Sequence, residues 1–168
     1  MRELEISFRS IPATLTYELR QQVLWPESPI ERVMVPEDHQ ALHIGAFEEE
    51  NLIGVGSFFF DLPSVRLRKL AVLPEKQGRG IGSNLIRFAA NQPDLQKADN
   101  IWCDAREDAV SFYQRLSFKV EGDIFEKFGV NYQRACAEIA AVAQHLVRDE
   151  AVSYGAHLLG QGNTQNRP

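Results

Sequence analysis

Three glycines spaced two residues apart, in Gln77-Gly78-Arg79-Gly80-Ile81-Gly82, stand directly before the apolar-periodic run Ser83-Asn84-Leu85-Ile86-Arg87-Phe88-Ala89-Ala90. The first amides of a helix have no intrahelical acceptor, and the helix dipole favours negative charge at that end. Glycines let a bulky anion reach those amides with no Cβ in the way. Phosphate or pyrophosphate binding is the chemistry that follows; the plain alternative is a tight strand-to-helix turn without a ligand. A P-loop needs Gly-x-x-x-x-Gly-Lys followed by Ser or Thr, and no such lysine exists here. A dinucleotide fingerprint comes nearer, since Gly78-x-Gly80-x-x-Ser83 almost fits and Asp104 ends a strand about twenty residues on. Against it, the third glycine is Gly82, and Pro74-Glu75-Lys76-Gln77 separates the glycines from their strand.

The elements that must position this turn read as follows. Residues 4–8 alternate apolar and polar as a short strand, and Leu15, Leu19, Val23 and Leu24 mark a helix over 14–24. Pro26, Pro29 and Pro36 make 26–40 a loop, with one helical turn near 30–33. Strands at 41–47 and 52–60 around a polar turn form a hairpin, and a further strand covers 65–73. After the glycine turn and its helix come a strand at 100–105, a helix at 108–116, and strands at 118–125 and 130–135. An Ala-rich helix over 137–147 carries Ile139, Val142, Ala143 and Leu146 on one face, and 161–168 is expected to fray. The hairpins and the broken alternation point to an α+β fold rather than a doubly wound sheet.

Composition narrows the function classes. The 168 residues suit one domain, and 44% hydrophobic with 24% charged residues is a globular composition. Eighteen Lys plus Arg against 23 Asp plus Glu give a net charge of −5, which argues against nucleic acid as a partner. No apolar run approaches the ~20 residues that span a bilayer, so no membrane partner is expected. The start, Met1-Arg2-Glu3-Leu4-Glu5, is unlike a signal peptide. Cys103 and Cys136 are too few for a disulfide scaffold and lack metal-type spacing, so no metal site is expected and the default setting is cytoplasmic.

Gln77-x-x-Gly80-x-Gly82, following the strand Arg68-Lys69-Leu70-Ala71-Val72-Leu73-Pro74, resembles the coenzyme A signature of the GNAT superfamily, Gln/Arg-x-x-Gly-x-Gly/Ala. The run Ala109-Val110-Ser111-Phe112-Tyr113-Gln114-Arg115-Leu116-Ser117-Phe118 resembles the superfamily's second landmark, Asn-x-x-Ala-x-x-Phe-Tyr-x-x-x-Gly-Phe. The two are in register, separated by the expected strand, and the element order matches from about residue 4 to 135. Arg106 stands where the landmark has Asn, and Ser117 where it has Gly.

The resemblance implies a GNAT-like fold over 1–137, with 138–168 as an extension that is helical and then frayed. It implies a mixed, mostly antiparallel sheet splayed between its central strands. It also implies an acetyl-CoA-dependent N-acetyltransferase acting on a primary amine of a small molecule or peptide, with a homodimer as one open option. By that resemblance Leu70 and Val72 pair through their backbones with the pantetheine arm, and an N–H near Ala71 or Val72 polarises the acyl carbonyl. The amides of Gln77, Gly78, Arg79, Gly80, Ile81, Gly82 and Ser83 cradle the pyrophosphate. Arg106 hydrogen-bonds the cofactor, and Phe112 packs on the pantetheine arm or simply in the core. Tyr113 would protonate the leaving sulfur, the alternative at that helical spacing being core packing with a satisfied hydroxyl.

No general base is assigned. Arg66, Arg68 and Lys69 occupy the strand where relatives often keep a Glu, leaving Asp104 and His43 as candidates. Cys103 is expected not to form an acyl-enzyme. By resemblance the acceptor pocket draws on Trp25, residues 29–35 and residues 125–132. Glu31, Glu37 and Asp38 would suit a cationic amine there, or be a solvated face. The alternative function is a catalytically weak acyl-CoA-binding sensor or interaction module of the same fold.

Overall fold

A computed structural model describes residues 4–148. Seven strands form one sheet in the order β1-β2-β3-β4-β5-β7-β6. They are β1 (Ile6–Ile11), β2 (Leu42–Glu48), β3 (Asn51–Asp61), β4 (Ser64–Val72), β5 (Asn100–Arg106), β6 (Lys119–Lys127) and β7 (Val130–Glu138). The helices are α1 (Tyr17–Leu24), α2 (Ile81–Ala90), α3 (Val110–Gln114) and α4 (Ile139–Arg148). Every pairing is antiparallel except β4 with β5, which is the α+β plan expected of the sequence. No helix among the described residues is long and apolar enough to cross a membrane.

The parallel seam decides the shape of the site. It holds only from Ser64 to Arg66 against Asn100 to Trp102, after which the strands diverge. Near the same place β4 bulges against β3: Val55 opposes Ala71 and Ser57 opposes Arg68, so Gly56 faces two residues. Lys69 takes up the extra residue with φ of 58°, a left-handed conformation uncommon for a long side chain.

Strand alternation sends Ile101, Cys103 and Ala105 of β5 into the larger core, which α2, α3 and α4 cover. Ile81, Leu85, Ile86, Phe88 and Ala89 supply the buried stripe of α2, and Phe88 stacks on Phe8 at 5.9 Å. Ile139 and Val142 of α4 join the same core. A smaller core of Ile11, Leu19, Phe47, Val55 and Ala71 lies under α1.

Several boundaries differ from the sequence reading. β1 runs Ile6–Ile11 rather than 4–8, because Phe8 to Ile11 pair with Ala46 to His43. Residues 13–16 form a 3-10 turn ahead of α1, and 107–109 form another ahead of a short α3. β7 continues to Glu138 because Ala137 and Glu138 pair with Ile101 and Asn100, so α4 begins two residues later than periodicity suggests. Ser117 keeps the turn that its family position gives to Gly. It adopts φ of 75°, while Phe118 N–H donates to the Tyr113 carbonyl and Ser117 N–H to that of Gln114, closing the helix as a Schellman turn. The fraying expected at 161–168 lies outside the described residues.

The loop after α1 is fixed by a buried polar network. Arg20 is fully buried and donates to both Asp38 oxygens (2.8 and 2.9 Å), to the Val33 carbonyl (2.9 Å) and to Ser57 Oγ (2.8 Å). Ser57 lies 2.7 Å from His43 Nδ1, and His43 Nε2 lies 2.8 Å from the Asp38 carbonyl oxygen. A carbonyl only accepts, so Nε2 carries the proton and the Ser57 hydroxyl donates to Nδ1. Burial, then the charge of Arg20, holds the His43 pKa below its ordinary 6.5. Burial alone would raise Asp38, but the Arg20 hydrogen bonds, the Val35 amide and the nearby cations outweigh it and hold its pKa below 3.8.

Both shifts have the same sign of consequence. A depressed folded-state pKa gives stability that is present above the unfolded-state value and lost as pH falls. Acid destabilisation therefore begins as pH drops below 6.5, where unfolded His43 takes up a proton first, and a second stage begins below 3.8 from Asp38. The first stage costs up to about 1.4 kcal/mol per pH unit. Urea midpoints measured against pH should show it, and His43→Gln should remove that first stage while leaving the second.

Candidate active site

The divergence of β4 and β5 opens a cleft of about 1020 Å³. Leu70, Ala71 and Val72 form one wall, Cys103, Asp104 and Arg106 the other, and Gln77, Gly78, Gly80, Ile81, Gly82 and Ser83 close one end. Phe112 and Tyr113 also face it, so the cleft gathers every site residue expected from the sequence except Arg79. Arg79 lies within the turn itself, with its guanidinium directed to Glu48 at 3.4 Å.

The turn is built by backbone geometry that only glycine adopts freely. Gly78 and Gly80 have φ of 79° and 77°, and Gly80 caps α2 by accepting from Asn84 N–H at 3.0 Å. Behind that cap the amides of Ile81, Gly82 and Ser83 have no carbonyl one turn back. Gly82 meets a different demand: a Cβ there would lie 3.4 Å from the Phe112 ring, so its absence lets α3 close over the start of α2. Gln77 folds back, its side-chain amide donating to the Val72 carbonyl at 3.0 Å, which ties the turn to the end of β4.

Sequence reasoning missed a second tie. Glu48 falls in the polar turn that the sequence predicts between strands 41–47 and 52–60, yet it ends β2, is buried, and accepts from Lys76 at 2.5 Å and Arg79 at 3.4 Å. The Lys76 hydrogen bond, opposed by burial and aided by Arg79, holds its pKa below the ordinary carboxylate value. Nothing local announces this pairing, because Glu48 and Lys76 meet only through the sheet.

On the core side, Tyr113 packs edge-on against Phe112 and Phe118, with ring centroids 4.9 and 5.3 Å away. Its hydroxyl hydrogen-bonds the Cys103 thiol, and burial holds its pKa well above 10.0. Burial likewise pushes Cys103 up to about 12, so neither group ionises near neutral pH.

The opposite face of the sheet is rich in cations. Asp104 accepts from Arg66 and Arg134, each at 3.1 Å, and lies 3.8 Å from Lys127. Arg66 and Arg134 both lie over the Trp102 ring, at 4.6 and 4.1 Å. Asp104, one of the two base candidates, thus has both oxygens engaged by cations. His43, the other base candidate, is not in the cleft wall; it belongs to the Arg20 network. The acids imagined for a cationic substrate are elsewhere too. Asp38 is consumed by Arg20, and Glu31 and Glu37 are exposed outside the cleft. Of the expected acceptor residues, Trp25, Lys127, Phe128 and Tyr132 line the cleft. Trp25 meets Phe128 edge-on at 6.5 Å, with Arg32 over both rings.

Comparison with known proteins agrees with this geometry. The family model for an acetyltransferase (GNAT) domain matches residues 17–135. The uncharacterized N-acetyltransferase YitI of Bacillus subtilis (strain 168) is 29% identical over 134 residues, covering 74% of this chain and 90% of YitI. In three dimensions the chain is similar to the IAA acetyltransferase of Bacillus cereus ATCC 14579, with a TM-score of 0.65 at 20% identity over 80% of this chain and 99% of that one. It is also similar to a Bacillus subtilis acetyltransferase in complex with CoA, with a TM-score of 0.60 at 18% identity over 81% of this chain and 99% of the other. A glycine turn at a helix start, a sheet forked beside it and a match over most of the described chain converge on one assignment: the protein belongs to the GNAT acetyltransferase family.

Proposed function

We propose that the protein transfers an acetyl group from acetyl-CoA to a primary amine by direct attack. The observation that carries this reading is the fork of β4 and β5, which runs into the open amides at the start of α2. The amides of residues 78–83 suit a pyrophosphate, with Phe112 beside the arm that leads from it. The diverging edge of β4 offers unpaired backbone groups at Leu70 to an extended pantetheine. An N–H near Ala71 or Val72 would oppose the charge that grows on the acyl oxygen.

The neutral amine attacks the thioester carbon, a C–N bond forms, the C–S bond breaks, and coenzyme A leaves as a thiolate. Tyr113 gives that sulfur its proton and recovers one afterwards; the amine's surplus proton passes to water. Fixing both reactants in the cleft removes much of the entropic barrier of a bimolecular step. Residues 138–168, on this reading, are an addition to the catalytic domain; the start of α4 serves it by covering the core beneath α2.

Acetyl-CoA should bind in calorimetry in preference to NAD or ATP, and Gly82→Glu should weaken it at least tenfold, since bulk strikes Phe112 and a like charge faces the pyrophosphate. Binding of NAD alone, or a Gly82→Glu protein that retains full affinity, would refute the phosphate site. Tyr113→Phe should lower kcat about ten-fold or more with little change in acetyl-CoA affinity. A purely packing role for the ring predicts unchanged turnover in that variant. Mass spectrometry after mixing with acetyl-CoA should show no stoichiometric acetyl-Cys103, because a thiol with a pKa of about 12 is protonated at neutral pH. An adduct that chases into product would establish a covalent route instead.

A further inference from the structure

Lys76, Arg106, Arg115, Arg66, Arg68, Lys69 and Lys127 line the cleft against a single acid, Asp104, although the chain as a whole is acidic. Part of this bias goes with the coenzyme. Lys76 adjoins the glycine turn, and Arg106 and Arg115 flank α3, whose Phe112 covers Gly82. The other four have no such assignment. Arg66 and Arg68 alternate with the buried Val65 and Leu67, so they project from the face of β4 opposite to Cys103 and Tyr113.

The balance of charge on that face is unequal. Asp104 already answers Arg66, Arg134 and Lys127. Arg68 rests on the Phe59 ring at 5.5 Å and, among the described residues, has no carboxylate within ion-pair distance. Lys69 has none either, and it is half-buried at the bulge, where the backbone holds it in a left-handed conformation. Burial, then the charges of Arg68 and Arg20, lowers its pKa against an opposing pull from Asp38. Partly desolvated cations with no carboxylate in contact are costly unless something supplies the anion.

We propose that the acceptor is an amine bearing an oxyanion, a carboxylate or phosphate held between Arg68 and Lys69 while its nitrogen faces the thioester. The proposal rests on the acetyl transfer inferred above and names the substrate class for it. A planar guanidinium with free donors beside an ammonium is a strong oxyanion pair. It replaces the expectation of a cationic amine, whose partners Glu31, Glu37 and Asp38 do not face the cleft.

The test uses the full chain, acetyl-CoA and acceptors that differ only in the acid group. Amino acids and aminoalkyl phosphates are set against the matching carboxamides, plain alkylamines and polyamines. The acid-bearing amines should show a kcat/KM about 10- to 100-fold higher. The carboxylate and phosphate arms decide between the two oxyanions. Without turnover, N-acetylated acids should raise the Tm of the coenzyme A-loaded protein, and their amides should not. Arg68→Gln and Lys69→Gln should raise KM for the acid acceptor about ten-fold with coenzyme A affinity unchanged, and Arg68→Lys should retain part of the effect. Equal or better use of neutral or polycationic amines overturns the proposal, as does failure of every acid to bind a protein that does bind coenzyme A. Loss of coenzyme A binding itself is a different failure, and it removes the transferase reading together with this one.

Discussion

Two parallel strands that part company leave backbone N–H and C=O groups unpaired along both inner edges, and burying such a group without a partner costs roughly 1–3 kcal/mol. In this protein the parting follows Arg66 and Trp102, and the rest of the molecule is arranged around it. The outer edges of β4 and β5 stay paired to β3 and β7, so the fork does not unravel the sheet. Arg66 reaches across to Asp104 close to the vertex and holds the two arms at a set distance. Those open edges leave a hollow where a sheet would ordinarily be closed. The bulge at Lys69 belongs to the same solution, because it shifts the side chains of β4 by one place on entering the fork.

The two faces of the fork have opposite electrostatic characters, and the division follows from strand alternation together with the bulge at Lys69. One face buries Cys103 and Tyr113 in an apolar setting that keeps both protons in place. The other presents cations over Trp102, Phe59 and Tyr132, where aromatic rings partly replace the missing carboxylates. The Arg20 network does not belong to either wall. It secures the loop that carries Trp25 and Arg32 to the rim, and it does so with groups that are nearly all satisfied: only Arg20 Nε lacks a partner among its buried donors.

What the sequence revealed and what it concealed divide along the range of the interactions. The glycine turn, α2 and the hairpin β2–β3 are local devices, readable from spacing and turn residues. The fold class followed from their order, and the fork from the family resemblance carried by two motifs in register. The ends of β1 and β7 were misplaced because strand length is set by the partner: Ala137 reads as the start of an Ala-rich helix until Ile101 is seen opposite it. The Arg20–Asp38–Ser57–His43 chain, the Glu48 clamp and the cation cluster all join residues distant in sequence. No periodicity encodes them. Asp38 and Glu48 looked like solvated acids for that reason, and His43 like a candidate base.

The seam between β4 and β5 also divides the chain by folding cost. β1, β2, β3 and β4 are neighbours in sequence order after the first loop, and β6 and β7 form their own hairpin against β5. The β2–β3, β3–β4 and β6–β7 pairings close short turns, whereas the parallel register of three residue pairs closes the longer connection 73–99 through α2 for little return. The junction is therefore the seam of the sheet with the fewest paired residues. A ligand that bridges both arms requires that seam to be closed, so its affinity would add to the stability of the most sparsely paired seam of the sheet.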